Sequence, residues 1–172
     1  MYASQLERLM RADSFGKRQF RGVFAADRLP KRVSTYPSAY IVNTDPASKP
    51  GTRWVAFYFP NKDHGEFFDS YGQTPGFYHR GFENFLNKNS YRWTYNHTTL
   101  QSLNSSVCGQ YCLWYLLHRC RGISISRTLY YFRKSKEWND RMVEHFICNR
   151  FHIILKHKTC NLSQRCVSIL SK

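Results

Sequence analysis

The chain has 172 residues, 42% of them hydrophobic and 17% aromatic, which is the size of one domain able to bury a core. Its 26 Lys and Arg against 11 Asp and Glu leave a formal charge of +15. That field attracts polyanions such as DNA or RNA in a salt-dependent way, or simply marks a soluble basic surface. No apolar run approaches the ~20 residues of a membrane-crossing helix, and residues 1–15 hold no apolar signal core, so the composition excludes a membrane span and predicts an intracellular, non-secreted, monomeric protein, nucleus included.

In chain order, Leu6, Leu9 and Met10 have helical spacing, and residues 15–33 read as a basic, Gly-containing connector closed by Leu29-Pro30. A strand is predicted over 39–43 and a turn over 45–51. The aromatic and β-branched runs 54–59 and 66–71, joined by the polar turn 61–65, predict a β-hairpin. Residues 77–86 have helical spacing and 91–95 suit a strand. Helices are predicted over 106–119, 124–133 and 137–154. Strands early and helices late predict an α+β domain over 1–155, with helices covering a small mixed sheet. Residues 156–172 form a basic tail without clear period.

The segment Leu100 to Leu117, LQSLNSSVCGQYCLWYLL, places Gln101 seven residues before a Cys108-Gly109 pair that opens an apolar helix. A helix N-terminus favours a thiolate through its dipole and free N–H groups, and those N–H groups can also hold a developing oxyanion. All six cysteines (108, 112, 120, 148, 160, 166) lie in the last 65 residues, which does not suit a secreted disulfide framework. Cys112 and Cys120 are predicted to pack in the core as small apolar groups. Cys148 and His152, four apart on a helix with His157, Cys160 and Cys166 following, permit a zinc reading, but no paired C-x-x-C supports it. No metal or other required cofactor is expected.

Three stretches in one order, G-T-R-W-V-A-F-Y-F from Gly51, F-F-D-S-Y-G from Phe67 and Q-S-L-N-S-S-V-C-G from Gln101, resemble the adenovirus-protease-like cysteine endopeptidases. In particular they resemble the versions carried by Maverick/Polinton-type transposons and related viruses, in the broad clan of the SUMO-deconjugating proteases. The resemblance implies a papain-like cysteine protease fold with the nucleophile at the N-terminus of a central helix. It implies Cys108 as nucleophile, Gln101 as the oxyanion-hole side chain, Asp69 as the acid that orients the imidazole, and Trp54 as the aromatic that follows the catalytic His. The cleft would lie between the Trp-bearing strand and the Cys helix, with a narrow slot near Trp54 and Gln101 for a small residue before the scissile bond.

One position departs from the pattern. Where the family has His-Trp, this chain has Arg53-Trp54, and a guanidinium that stays charged cannot take and return a proton. Arg53 is expected to lie against Cys108 and pair with Asp69. His64 falls in the predicted hairpin turn, at the far end from the site. His79 and His97 have no motif position, and His118 is ten residues down the helix, about 15 Å from Cys108 at 1.5 Å per residue. The resemblance therefore implies a protease that cleaves precursor proteins of a viral or transposon-like element, impaired at Arg53. Its alternatives are an inactive DNA- or protein-binding remnant and a ubiquitin-like-protein deconjugating peptidase.

The resemblance also implies association with DNA and with a short activating peptide. In that group the peptide can attach by a disulfide to a cysteine before the nucleophile; no cysteine precedes Cys108 here, which leaves strand addition at a sheet edge. Two basic stretches suit non-specific nucleic-acid contact. Residues 1–32 carry eight Lys and Arg against three acids, and residues 141–172 carry six against Glu144 alone.

Overall fold

A computed structural model describes residues 1–152, so the 156–172 tail with His157, Cys160 and Cys166 lies outside the described residues. Five strands form one sheet in sequence order: β1 Phe20–Phe24, β2 Ser38–Asn43, β3 Trp54–Phe59, β4 His64–Phe68 and β5 Arg92–Tyr95. The outer pairs β1–β2 and β4–β5 are parallel and the inner pairs are antiparallel. The helices are α1 Ala3–Ala12, α2 Gly16–Gln19, α3 Pro75–Tyr78, α4 Arg80–Asn89, α5 Cys108–Arg119, α6 Ile125–Leu129 and α7 Lys136–Phe151. This is the expected α+β arrangement: a small mixed sheet flanked by helices, with Cys108 opening the central one. No helix among the described residues is long and apolar enough to cross a membrane.

The period-2 alternation of the strands sorts their side chains into two cores. Ala39, Ile41, Ala56, Tyr58 and Phe68 face α1, α5 and α7. Tyr40, Val42, Val55, Phe57, Phe59 and Phe67 face Phe82, Phe85 and Leu86 of α4. Each fully buried aromatic or aliphatic side chain contributes roughly 1.5–3 kcal/mol. Helix α5 runs between the sheet and α7 with every residue except Gln110 buried, which is why its sequence is apolar all round instead of striped.

Four boundaries differ from the sequence expectation. Residues 20–24 form an edge strand instead of a connector. Gly22 at φ 137° and a register slip between Phe20 and Gly22 break its alternation, while Glu7 of α1 accepts the Val23 N–H at 3.1 Å. The 77–86 helix is two helices, because His79 leaves helical geometry and caps α4, its Nδ1 accepting the Gly81 N–H at 3.1 Å. Strand β4 runs over 64–68, so Asp69 stands just past its end. Helix α6 stops at Leu129 because the following loop wraps Asn139, whose side chain takes both the N–H and the C=O of Arg133, at 2.8 and 2.9 Å.

Candidate active site

The β3–β4 register pairs Ala56 with Phe68, so the open end of the hairpin carries Arg53 and Trp54 on one side and Asp69 to Tyr71 on the other. Helix α5 is packed against β3 and presents its first turn to that end. Gly109 permits the approach: a Cβ there would sit 3.2 Å from Leu6 and 3.4 Å from Trp54. Trp54 is fixed by an indole N–H donated to the Met1 carbonyl at 3.1 Å. A cleft of about 320 Å³ is lined by Arg53, Trp54, Tyr71, Gln101, Ser105 and Cys108, among others. Thus the three separated motifs converge on one groove, with Asp69 buried behind it at 1% exposure.

Cys108 opens α5 with 9% of its surface exposed, and Val107 before it supplies no side-chain cap. The N–H groups of the first turn therefore remain available at the groove. Gln101 is fixed at both ends of its amide. Its Oε1 accepts from the Ser70 hydroxyl at 2.7 Å, and its Nε2 donates to the carbonyl and hydroxyl of Ser105, both at 2.9 Å. Ser105, absent from the sequence reading of roles, thus holds the Gln101 amide at the groove.

Asp69 is held by a tight turn in which the Gly72 N–H reaches the Asp69 carbonyl at 2.9 Å. Gly72 adopts φ 70°, and a Cβ there would lie 2.8 Å from the Thr98 backbone, so only glycine fits. Asn96 brackets the Asp69 peptide, accepting its N–H at 2.9 Å and donating to its carbonyl at 2.6 Å. Oδ2 accepts from the Gln73 N–H at 2.9 Å and the Tyr78 hydroxyl at 3.0 Å. Oδ1 is buried and has no hydrogen-bond partner among the described residues. Burial raises the Asp69 pKa, against the opposing pull of the Gln73 and Tyr71 N–H groups, the Tyr78 hydroxyl and the charge of Arg53.

Arg53 does not pair with Asp69 as expected. Its guanidinium lies over the Tyr71 ring, 4.0 Å from the centroid, and it makes no salt bridge among the described residues. A planar cation gains from an aromatic face without giving up its hydration as a buried pair would. Tyr71 lies inside the F-F-D-S-Y-G stretch, but nothing in the sequence marked it as the platform for Arg53.

None of the histidines considered as substitutes lines the groove. His64 begins β4 at the opposite end of the hairpin, with Nε2 3.1 Å from the Thr94 hydroxyl. His79 is the α4 cap, and His97 packs on Tyr95 at 4.0 Å between ring centroids. His118 is buried, bonded to the Trp114 carbonyl at 2.7 Å and pushed down to about 4 by burial. Cys112 and Cys120 are buried as predicted, burial raising both thiols, that of Cys120 to about 12. Among the described residues no three His, Cys, Asp or Glu side chains gather as a metal site.

Some cations of the two basic stretches are paired, Arg28 with Asp27 among them. Arg11 pairs with Glu7, and Arg121 and Arg150 both pair with Asp13. At the far end of the sheet, Arg32, Lys62 and Lys88 surround a recess with Tyr91, which is 92% exposed. The carbonyls of Lys88 and Asn89 there are taken by Arg32 and the Tyr36 hydroxyl.

No family model and no curated protein matches the chain. Among solved structures it is similar to the ASFV pS273R protease, at 22% identity with a TM-score of 0.40, over 62% of this chain and 43% of that one. The chain thus spans less than half the length of that protein.

Proposed function

We propose that the protein is a cysteine peptidase domain of the papain-like, adenovirus-protease-like type in which the nucleophile, oxyanion donor and acid are kept and the general base is replaced by Arg53. Its substrates would be precursor proteins of a viral or transposon-like element, with a small residue before the scissile bond. One observation carries this reading. A buried carboxylate oxygen, Oδ1 of Asp69, has no partner among the described residues beside the groove that holds Cys108, and an imidazole N–H at position 53 is the donor such a site would use.

The chemistry follows from the groups present. The Cys108 thiolate attacks the scissile carbonyl carbon, and the electron pair moves to the carbonyl oxygen, held by the first-turn N–H groups of α5 and by Gln101 Nε2. Gln101 Nε2 reaches that oxygen by giving up one of its two bonds to Ser105. Collapse to a thioester requires a proton on the departing amine. Arg53 cannot supply it, so amide turnover stalls at this step while attack on an ester, whose leaving group departs as an anion, does not.

Restoring the base tests this. Arg53→His should raise cleavage of peptide substrates by about 10²-fold or more, with Cys108→Ala abolishing the gain. An unchanged rate would leave the inactive, partner-binding remnant as the account of this cleft.

A further inference from the structure

We propose that Asp140, on α7 and outside every stretch that carries the thiol chemistry, is a positioning residue that sets the Gln101 amide through Ser102. The proposal rests on the peptidase reading of the groove. Asp140 Oδ2 accepts from the Ser102 N–H at 3.3 Å and from the Ser102 hydroxyl, and Oδ1 accepts from the Tyr111 hydroxyl at 2.9 Å. Asp140 is 6% exposed and Tyr111 fully buried. Tyr111 stands one turn beyond Cys108 on α5, and its hydroxyl is also 3.0 Å from the Leu100 carbonyl. Asn139, next to Asp140, donates to that same carbonyl at 3.1 Å.

The peptide units held this way are those on either side of Gln101. Its own N–H goes to the Ser70 carbonyl at 3.1 Å, the carbonyl before it is fixed by Asn139 of α7, and the N–H after it by Asp140. The nucleophile helix and the segment carrying the amide donor are therefore tied to one carboxylate. Three donors converge on that carboxylate, so replacing either oxygen with an NH2 group sets donor against donor. Burial, and then the Asp140 charge, push the Tyr111 phenol far above its ordinary range, which keeps it a donor at all working pH values. A donor displaced by a fraction of an ångström loses much of its hold on a developing oxyanion.

The test separates two reactions of the same thiol in the full chain. Acylation of Cys108 by p-nitrophenyl acetate passes through an oxyanion, whereas alkylation by iodoacetamide does not. Asp140→Asn should slow acylation about tenfold, leave alkylation within twofold, and add little to the slower rate of Gln101→Ala, since both act on one amide. Ser102→Ala, a smaller change, should give the same selective loss and covers the case in which Asp140→Asn folds poorly. Acylation of both variants at the wild-type rate while Gln101→Ala is slow overturns the proposal alone, as does a parallel fall of acylation and alkylation in Ser102→Ala. If Cys108→Ala still acylates at the wild-type rate, the peptidase reading falls and this proposal falls with it.

Discussion

Two buried carboxylates stand three residues apart at β4, and they are treated in opposite ways. Glu66 uses both oxygens: Arg119 of α5 donates to Oε2 at 2.7 Å and to Oε1 at 2.7 Å, and the Tyr115 hydroxyl adds a third bond. Asp69 fills only Oδ2, and the cation beside it rests on Tyr71 instead. The Glu66 end of α5 is a closed structural joint, while the Asp69 end has an acceptor left over. Stability alone does not account for a buried carboxylate oxygen with no donor, which costs on the order of 1–3 kcal/mol. The peptidase reading proposed above gives that acceptor a use.

The largest effect should come from breaking the closed joint. Arg119→Met keeps the length of the side chain against Tyr58 but strands Glu66 in the core, and should lower the free energy of unfolding by about 3–5 kcal/mol in urea titrations. A loss under about 1 kcal/mol would mean that the pair is not what fastens α5 to β4, and the contrast between the two carboxylates would lose its meaning.

A smaller effect is expected at Asp13, the buried carboxylate that ties the end of α1 to the chain after α5 and to α7. Burial pushes its pKa up, but hydrogen bonds from Arg121 and Arg150 and the N–H of Gly16 outweigh that and hold it at about 2. A folded-state pKa below the unfolded value adds stability that is present above about 4 and lost as pH falls through about 2. On the order of 1–2 kcal/mol should disappear across that window. Thermal unfolding of the wild type and Asp13→Asn as a function of pH checks it, the two curves converging at the acid end.

The convergence of Arg53, Trp54, Gln101 and Cys108 on one groove was expected only from the family resemblance, because local spacing marks a strand start, a loop and a helix start but does not bring them together. The hairpin itself was legible, but its register was not, since both faces of Trp54–Phe59 are buried. Strand β1 was hidden because Gly22 and a bulge destroy the alternation that identifies a strand. The platform under Arg53, the Ser105 contacts of Gln101 and the tie from Asp140 could not be read, because each joins residues through side-chain geometry that no spacing encodes. Pairing Arg53 with Asp69 was the expectation from charge alone, and it failed because an aromatic face was nearer to hand than a desolvated carboxylate.

The smallest effect on stability, and the sharpest use of the comparison, belongs to Asp69→Asn. The amide oxygen can keep the Gln73 and Tyr78 bonds while the NH2 group replaces the partnerless Oδ1 and the charge is gone. The folded pKa of Asp69 lies above its ordinary value, so ionising it on folding opposes stability, and that opposition is absent at pH values below the usual carboxylate range and grows as pH rises through it. The Asn protein should therefore be no less stable than wild type at acid pH and more stable at neutral pH, the reverse of Asp13→Asn. In the Arg53→His background the same substitution should remove most of the regained cleavage, because the imidazole loses the acceptor that orients it. A variant that gained stability and kept that cleavage would make Asp69 a flaw in packing, and Glu66 and Asp69 would no longer divide structure from site.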